Sequence, residues 1–494
     1  MPFSKTPEYS TYSTQMINLL KVNQSRSTAT NRDANLINCF PEFTYNKLTQ
    51  EQTINIVKRP GYTQFISAPA GTVARGLYYW KDQDKLYYAI DRDIKVYTAS
   101  TGALVTTLVN VFVSTTGEVG FTEFLYDNGT AKVVAVDGLI IVTIDSANTV
   151  VTGVDADQPG TPSTGTFIPI PIFLNGRLLI IKTSTADIYN SDDNNPLTFT
   201  AGGFINAEIE PDQLKSIVKL NNYIAVLGSS SIEYFYFDSA SVSGTVLIRN
   251  EVPVKQVGYV CGLATQDNKA YFVGTVRKGT VDVFKLEDLK ITSLGHNGIR
   301  RYLSAYSAAY DTNIFGAIVM CAGHSWYTIS DAVRTDVFEL ETELWQQWAL
   351  GAGTAFPVKY SFPYAAPDGT RNLFITSTSL AVFNLDANQY QDNSVNFTVT
   401  IITAPEDFDT LRWKNMDQLV LWTDYPTSTT SVNVQWTDDD YQSYSSARSI
   451  DLFQDLPSLN QLGGFRQRAF KFTYADNFPL RISGVECQIN KGST

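Results

Sequence analysis

The sequence predicts an all-β protein: a β-propeller of six or seven blades with an extended N-terminal arm and a C-terminal β-sandwich. Three observations carry this. Hydrophobic residues make up 44% of the chain and aromatics 13%, with 27 Tyr and 28 Phe, against only 17% charged residues. Aromatic and β-branched side chains suit a pleated, half-buried surface, whereas long helices need periodic runs of Ala, Glu, Lys and Leu. Residues 173–240 hold two successive units of one grammar, in which a polar turn, an apolar strand, a second polar turn and a second strand follow in order. Units of this kind recur through the middle of the chain at a period of about 40–56 residues, as four-stranded blades do.

At 494 residues the chain exceeds one ordinary hydrophobic core. Residues 1–55 are polar and rich in Ser, Thr and Asn, and read as an arm that packs on the C-terminal domain or on neighbouring subunits. The run IVKRPGYTQF (56–65) is a strand broken at Pro60-Gly61, where the propeller, 56–390, begins.

The first unit is 76–108, with Asp-containing turns between aromatic strands. In the second, 132–145, Asp137-Gly138 joins two apolar runs, a strong hairpin signal. In the third and fourth, Asn175-Gly176 and Asn221-Asn222 lead into the apolar runs 178–181 and 224–227, and second strands follow at 187–190 and 232–237. The fifth, 268–294, turns at Lys278-Gly279; the sixth spans 317–348 and the seventh 371–386. Between the fifth and sixth, Ile299, Tyr302, Leu303 and Tyr306 are spaced for a short packing helix. From 391 to 494 the blade period is lost and strands fall at the spacing of a β-sandwich, such as QLVLWTDYP and FRQRAFKFTYADNFPLRISGVECQI. A long array of sandwiches is the competing architecture, since it too spaces strands evenly.

Composition narrows the function. A net charge of −12 and a pI near 4.8 argue against tight sequence-independent binding of nucleic acid, which needs cations to displace counterions along the phosphates. A neutral or repulsive wall remains compatible with DNA passing by. Cys39, Cys261, Cys321 and Cys487 show no metal or redox spacing, so a reducing compartment without structural zinc is expected. The apolar run 138–144 falls short of the roughly 20 residues that span a bilayer, and MPFSKTPEYSTYST has no signal-peptide core, so no membrane-spanning segment is expected.

Candidate chemistry is sparse. His296 and His324 are the chain's only histidines, separated in sequence and set among strands and turns. Gly228-Ser229-Ser230-Ser231 lacks the second glycine and the following helix of a nucleophile elbow. Asp192-Asp193-Asn194 and Asp438-Asp439-Asp440 offer oxygens for calcium but match neither an EF-hand loop nor an Asp-box, and read as solvated turns. A glycosidase needs two carboxylates roughly 5–10 Å apart, and no spacing selects a pair. No catalytic residue, cofactor or metal site is assigned, and the chain is expected not to be an enzyme.

NGRLLIIKTSTADIYNSD, NPLTF, FINAEIEPDQLKSIVKL and LGSSSIEYFYFDSA resemble the core signature of tail-hub proteins of short-tailed bacteriophages, also called packaged-DNA stabilisation or tail-nozzle proteins. RPGYTQF (59–65), NRDANLINCFPE (31–42) and GGFRQRAFKFTYADNFPLRISGVECQI resemble that family's N-terminal and closing segments. The resemblance implies a homohexameric ring beneath the portal and the head-to-tail adaptor, with propellers around a channel that retains packaged DNA and conducts it at ejection. It implies contacts with a tail needle or plug and with tailspikes or tail fibres, no sequence-specific DNA binding, and a place in the virion after assembly in the host cytoplasm. Gly228, Ser229, Ile232, Glu233, Tyr234 and Phe235 then have a structural role in a blade, and Tyr236-Phe237-Asp238 depart from the family pattern. The alternatives are a glycan-binding or glycan-cleaving propeller, with an aromatic axial pocket and convergent carboxylates or arginines, and a monomeric propeller scaffold.

Overall fold

The computed structural model describes residues 12–19, 34–46, 51–159, 166–238, 245–250, 255–276, 279–306, 309–351, 353–366 and 369–491. Lys278 of the expected fifth-unit turn, and residues 1–11, 20–33 and 47–50 of the arm, lie outside them.

Alternation with period two sets the architecture. In the strand Arg177–Ile181, Leu178 and Ile180 point into one buried cluster with Val134, Val136 and Ile141, while Leu179 and Ile181 point into another with Ile217, Ile224 and Val226. A strand buried on both faces must have a sheet on each side. This repeats for every blade: each core cluster is built from two neighbouring sheets, and the last, with Leu373, Ile375 and Val382 against Leu86, Tyr88 and Ile90, returns to the first. The result is a closed ring of seven four-stranded antiparallel blades at 74–108, 120–152, 172–206, 214–249, 257–293, 315–347 and 358–386. The first strand of each blade lies beside the first strand of the next, all the way round the axis.

The seventh blade takes three strands from 358–386 and its fourth, Gly61–Ile66, from ahead of the first blade. Tyr62 pairs with Leu385 and Gln64 with Phe383, so backbone hydrogen bonds between distant parts of the chain close the ring.

The turns follow the residues that tolerate positive φ. Asn175 and Gly176 have φ of 45° and 76°, the left-handed pair that a tight hairpin requires, between the register partners Leu174 and Arg177. In the second blade, Asp137 Oδ1 accepts from Leu139 N and Ile140 N at 2.9 Å each, holding the Asp-Gly turn. The expected helix is Asn297–Ser304, with Ile299 and Leu303 buried between the fifth and sixth blades.

A second body of strands lies beside the ring. One sheet holds Tyr12–Met16, Cys39–Asn46, Glu51–Lys58, Arg481–Lys491, Lys414–Thr423 and Ser458–Phe465. Facing it are Asn35–Ile37, Val399–Ile402, Ala469–Tyr474, Ser431–Thr437 and Arg448–Asp451, with a shared core that includes Leu36, Ile56, Leu419, Phe472 and Ile489. The second sheet does not stop there. Asn35–Ile37 also pairs, in parallel, with the sixth blade's outer strand Trp345–Gln347, making one nine-stranded sheet across both bodies. The strand Glu51–Lys58 runs past residue 55, where the sequence places the start of the propeller, and the change of sheet falls at Arg59-Pro60. Proline has no N–H for a ladder, so it suits the point where the chain leaves one sheet for another.

Around the axis, glycine allows backbones to touch. A Cβ on Gly76 would lie 2.3 Å from Val119 O, on Gly120 1.9 Å from Pro169 O, on Gly258 1.9 Å from Ser229 O, and on Gly316 2.0 Å from Gly262 O. Each glycine is near the start of a blade's inner strand and each obstructing atom is a backbone carbonyl at the neighbouring blade. Gly316→Ala is therefore expected to lower stability by about 1–3 kcal/mol, as overpacking does. Chemical denaturation measures it, and an unchanged midpoint would show that the blades can part at no cost.

Candidate functional site

The residues that carry chemistry in the sequence are separated by the fold and used locally. His296 caps the helix, its Nδ1 accepting from Gly298 N at 3.1 Å. His324 lies in the sixth blade with Nδ1 2.7 Å from Oε1 of the buried Glu339, which raises the imidazole above its ordinary value. The serines of the fourth blade are tied by Asp212, whose Oδ2 accepts from Ser230 N at 2.7 Å and Ser231 N at 2.9 Å. A Cβ on Gly228 would collide with that carboxylate at 2.4 Å, so the glycine makes room for a turn bond and not for a substrate. Glu233 is buried, accepts from Ile209 N at 2.9 Å and lies 3.2 Å from Arg249. Ile232, Tyr234 and Phe235 are core residues, while Tyr236 is exposed.

The acidic clusters are divided among turn closures and pairings with distant segments. Asp192 accepts from Thr200 Oγ1 at 2.6 Å, and Asn194 accepts from Asp127 N at 2.8 Å. Asp438 forms a two-pronged pair with Arg468 at 2.7 and 2.8 Å. Asp439 accepts from Ser443, Thr437 and Gln442, and these bonds, that from the Ser443 hydroxyl foremost, hold its carboxyl down at about 2. Among the described residues no group of three or more His, Cys, Asp or Glu is arranged to hold a metal.

At the axis lies a recess of about 440 Å³, lined by the inner strands of blades one, five, six and seven, including Leu77, Ile318, Met320, Lys359, Tyr360 and Phe362. That volume suits a small molecule. Its lining has one ammonium and no carboxylate, so the paired acids of a glycosidase are not there. Lys359 Nζ is already engaged, donating to Ala74 O at 2.8 Å and lying 5.0 Å from the centre of the Tyr360 ring. Burial lowers its pKa, and the Glu118 carboxylate opposes that shift.

The most elaborate polar constellation sits where ring, arm and C-terminal strands meet. Arg59 is fully buried. Its Nη1 and Nη2 donate to Asp392 at 2.8 and 2.5 Å, its Nε to Asn38 Oδ1 at 2.8 Å, and its remaining N–H groups to Pro60 O at 2.9 Å and Ala349 O at 3.0 Å. The guanidinium packs 3.8 Å from the centre of the Phe397 ring and 4.8 Å from that of Phe356. Asn38, at φ 59°, also donates through Nδ2 to Thr398 O at 2.8 Å and accepts from Ala349 N at 2.8 Å. The neighbouring Lys58 is buried, donates to Asp476 O at 2.7 Å and lies 4.5 Å from the centre of Phe397. Burial, with Arg59 beside it, lowers Lys58 from 10.5 to about 8. The sequence marks Arg59-Pro60-Gly61 only as a strand break. Asn38 and Asp392 carry no local signal, because their roles are set by partners up to 360 residues away.

These features define a β-propeller protein with a strand sandwich fastened to its rim. Residues 15–352 match the family described as Bacteriophage P22 Gp10, beta-propeller, and the chain belongs to that family of phage tail-hub, or stabilisation, proteins. Among solved structures the chain is similar to virginiamycin B lyase from Staphylococcus aureus, with 11% identity over 66% of this chain and 98% of that one, at a TM-score of 0.43. It is also similar to the N-terminal domain of Nup159, with 9% identity over 72% of this chain and 99% of that one, at a TM-score of 0.39. No curated protein matches the chain.

Two outcomes are expected at the junction. Arg59→Met leaves the Asp392 carboxylate buried and unpaired, a loss of about 3–5 kcal/mol, whereas Arg59→Met with Asp392→Leu recovers much of it; calorimetry checks both, and a fully stable single variant refutes the junction's importance. For Lys58 the unfolded chain keeps, between about pH 8 and 10.5, a proton that the folded chain has released. Stability relative to a Lys58→Met variant should therefore rise with pH across that window, and a flat or falling difference in urea midpoints contradicts the assignment.

Proposed function

We propose that this protein is a non-enzymatic subunit of a tail-hub ring beneath the portal and adaptor, a ring that retains packaged DNA and conducts it at ejection. The observation that carries the reading is the family match over residues 15–352, which takes in the arm strands and the first six blades. Two physical features support it. The axial recess is of small-molecule size, which supports a passage for duplex DNA formed between copies of the chain and not through a propeller. The net charge of −12 suits a wall that DNA must slide past, since phosphate contacts are what make proteins cling to DNA. Contacts with an adaptor, a needle or plug, and spikes or fibres follow from the same reading, as do location in the virion and assembly in the host cytoplasm.

The protein alone, or mixed with its adaptor ring, should form sixfold particles in negative-stain images, with a light-scattering mass six times the 54.8 kDa subunit. A stable monomer that never joins an adaptor ring and instead cleaves a glycan would falsify this reading.

A further inference from the structure

Large apolar side chains exposed on a soluble surface mark contact sites when they cluster, and two clusters stand at opposite ends of the single strand Lys414–Thr423. We propose that these two patches meet head to tail between copies of this chain. At the strand's start, Leu411 and Trp413 are 68% and 56% exposed, beside the exposed Arg412 and Arg466. Arg466 lies over the Trp413 ring at 5.6 Å. At its end, Trp422, Tyr425, Phe453 and Leu456 are between 42% and 62% exposed, beside the exposed Asp424 and Asp455.

The first patch is held rigid. The buried Lys414 ammonium donates to three carbonyls of its own surroundings, Thr410 at 2.5 Å, Arg412 at 3.2 Å and Arg466 at 2.6 Å. Phe408 and Asp409 take φ of 47° and 64°, a conformation uncommon outside glycine and disfavoured above all for the bulky Phe408. A strained loop fixed from beneath presents Leu411 and Trp413 without further ordering cost, which is what makes an anchor effective. In the second patch, Tyr425 and Phe453 support one another at 5.2 Å between ring centres, and Tyr425 donates to Phe453 O at 3.1 Å.

Charge selects the occupant. In a chain of net charge −12 an exposed arginine pair beside a tryptophan is the local exception, even with Asp409 exposed on the same loop. At the other end Arg481 is engaged by Glu42 at 3.2 Å, which leaves Asp424 and Asp455 to set the sign. A basic aromatic patch on one copy therefore complements an acidic aromatic patch on the next. The two patches lie at opposite ends of a strand about 30 Å long, so copies that meet through one patch each keep their other patch free for a further copy. A wild-type assembly that stops at two antiparallel copies would overturn the head-to-tail contact. Contacts of this heterologous kind generate rings when the rotation closes, and for closure this inference rests on the tail-hub reading.

Charge reversal tests it. Arg412→Glu with Arg466→Glu, and separately Asp424→Arg with Asp455→Arg, should each leave the protein at the mass of the 54.8 kDa subunit with its circular dichroism unchanged. Mixed together, the two variants should regain the wild-type assembly with the two alternating round it, because the intact patches complement one another and the reversed patches do so too. All four substitutions in one chain should restore the wild-type assembly. Wild-type assembly by either two-site variant alone, or failure of the mixture to assemble, overturns the contact while leaving the ring reading standing. Wild-type protein that is monomeric alone but joins an adaptor ring also overturns the contact alone, and wild-type protein that does neither overturns both.

Discussion

The buried ion pair of Arg59 with Asp392 is the constraint on which the two bodies of this protein depend. Its guanidinium receives the arm through Asn38, the rim of the ring through Ala349 and Phe356, and the C-terminal strands through Phe397. A buried charge is costly unless every donor finds a partner, and all the named donors of Arg59 do. The arrangement therefore has little tolerance: the three parts must arrive together. That suits a component that transmits position, since a loose hinge between ring and sandwich would blur the geometry of any larger assembly. The nine-stranded sheet running from the sixth blade through Asn35–Ile37 adds a second, backbone-level tie across the same gap.

The ring depends on a different economy. Each blade is apolar on both faces, so no blade is stable apart from its neighbours, and the seven shared cores close only when Gly61–Ile66 completes the last blade. The strand that closes the ring lies directly after Arg59-Pro60, so the bolt of the junction and the clasp of the ring are adjacent in sequence. Ring closure and docking of the sandwich are in this way coupled through a few residues of backbone.

Much of the ring is legible in the sequence, because blades are local. Asn175-Gly176 and Asp137-Gly138 announce their hairpins, and the alternating runs around them give the strands. What the sequence conceals is long-range. Nothing in YTQF says that it pairs with residues near 384, nothing in NLI says that it joins two sheets, and Asp392 is one acid among 49 until Arg59 is placed beside it. The carboxylate clusters mislead for the opposite reason, since their spacing is conspicuous while each residue is taken up separately, Asp438 by Arg468, Asp192 by Thr200 and Asp439 by its own turn.

That last point explains the shape of the chemistry as a whole. A protein built of short strands and many irregular joints leaves backbone N–H and C=O groups without ladder partners, and each must be satisfied where it is buried. Here aspartates take the N–H groups, as Asp91, Asp137, Asp212, Asp331 and Asp439 do in their turns. Buried cations take the carbonyls: Arg75 those of Asp91, Ser114 and Gly117, Lys414 those of Thr410, Arg412 and Arg466, and Lys58 that of Asp476. These charged side chains are thus engaged in fixing the backbone. A molecule that commits its charged groups to its own joints gains fixed shape, which is what a subunit of the proposed ring would need.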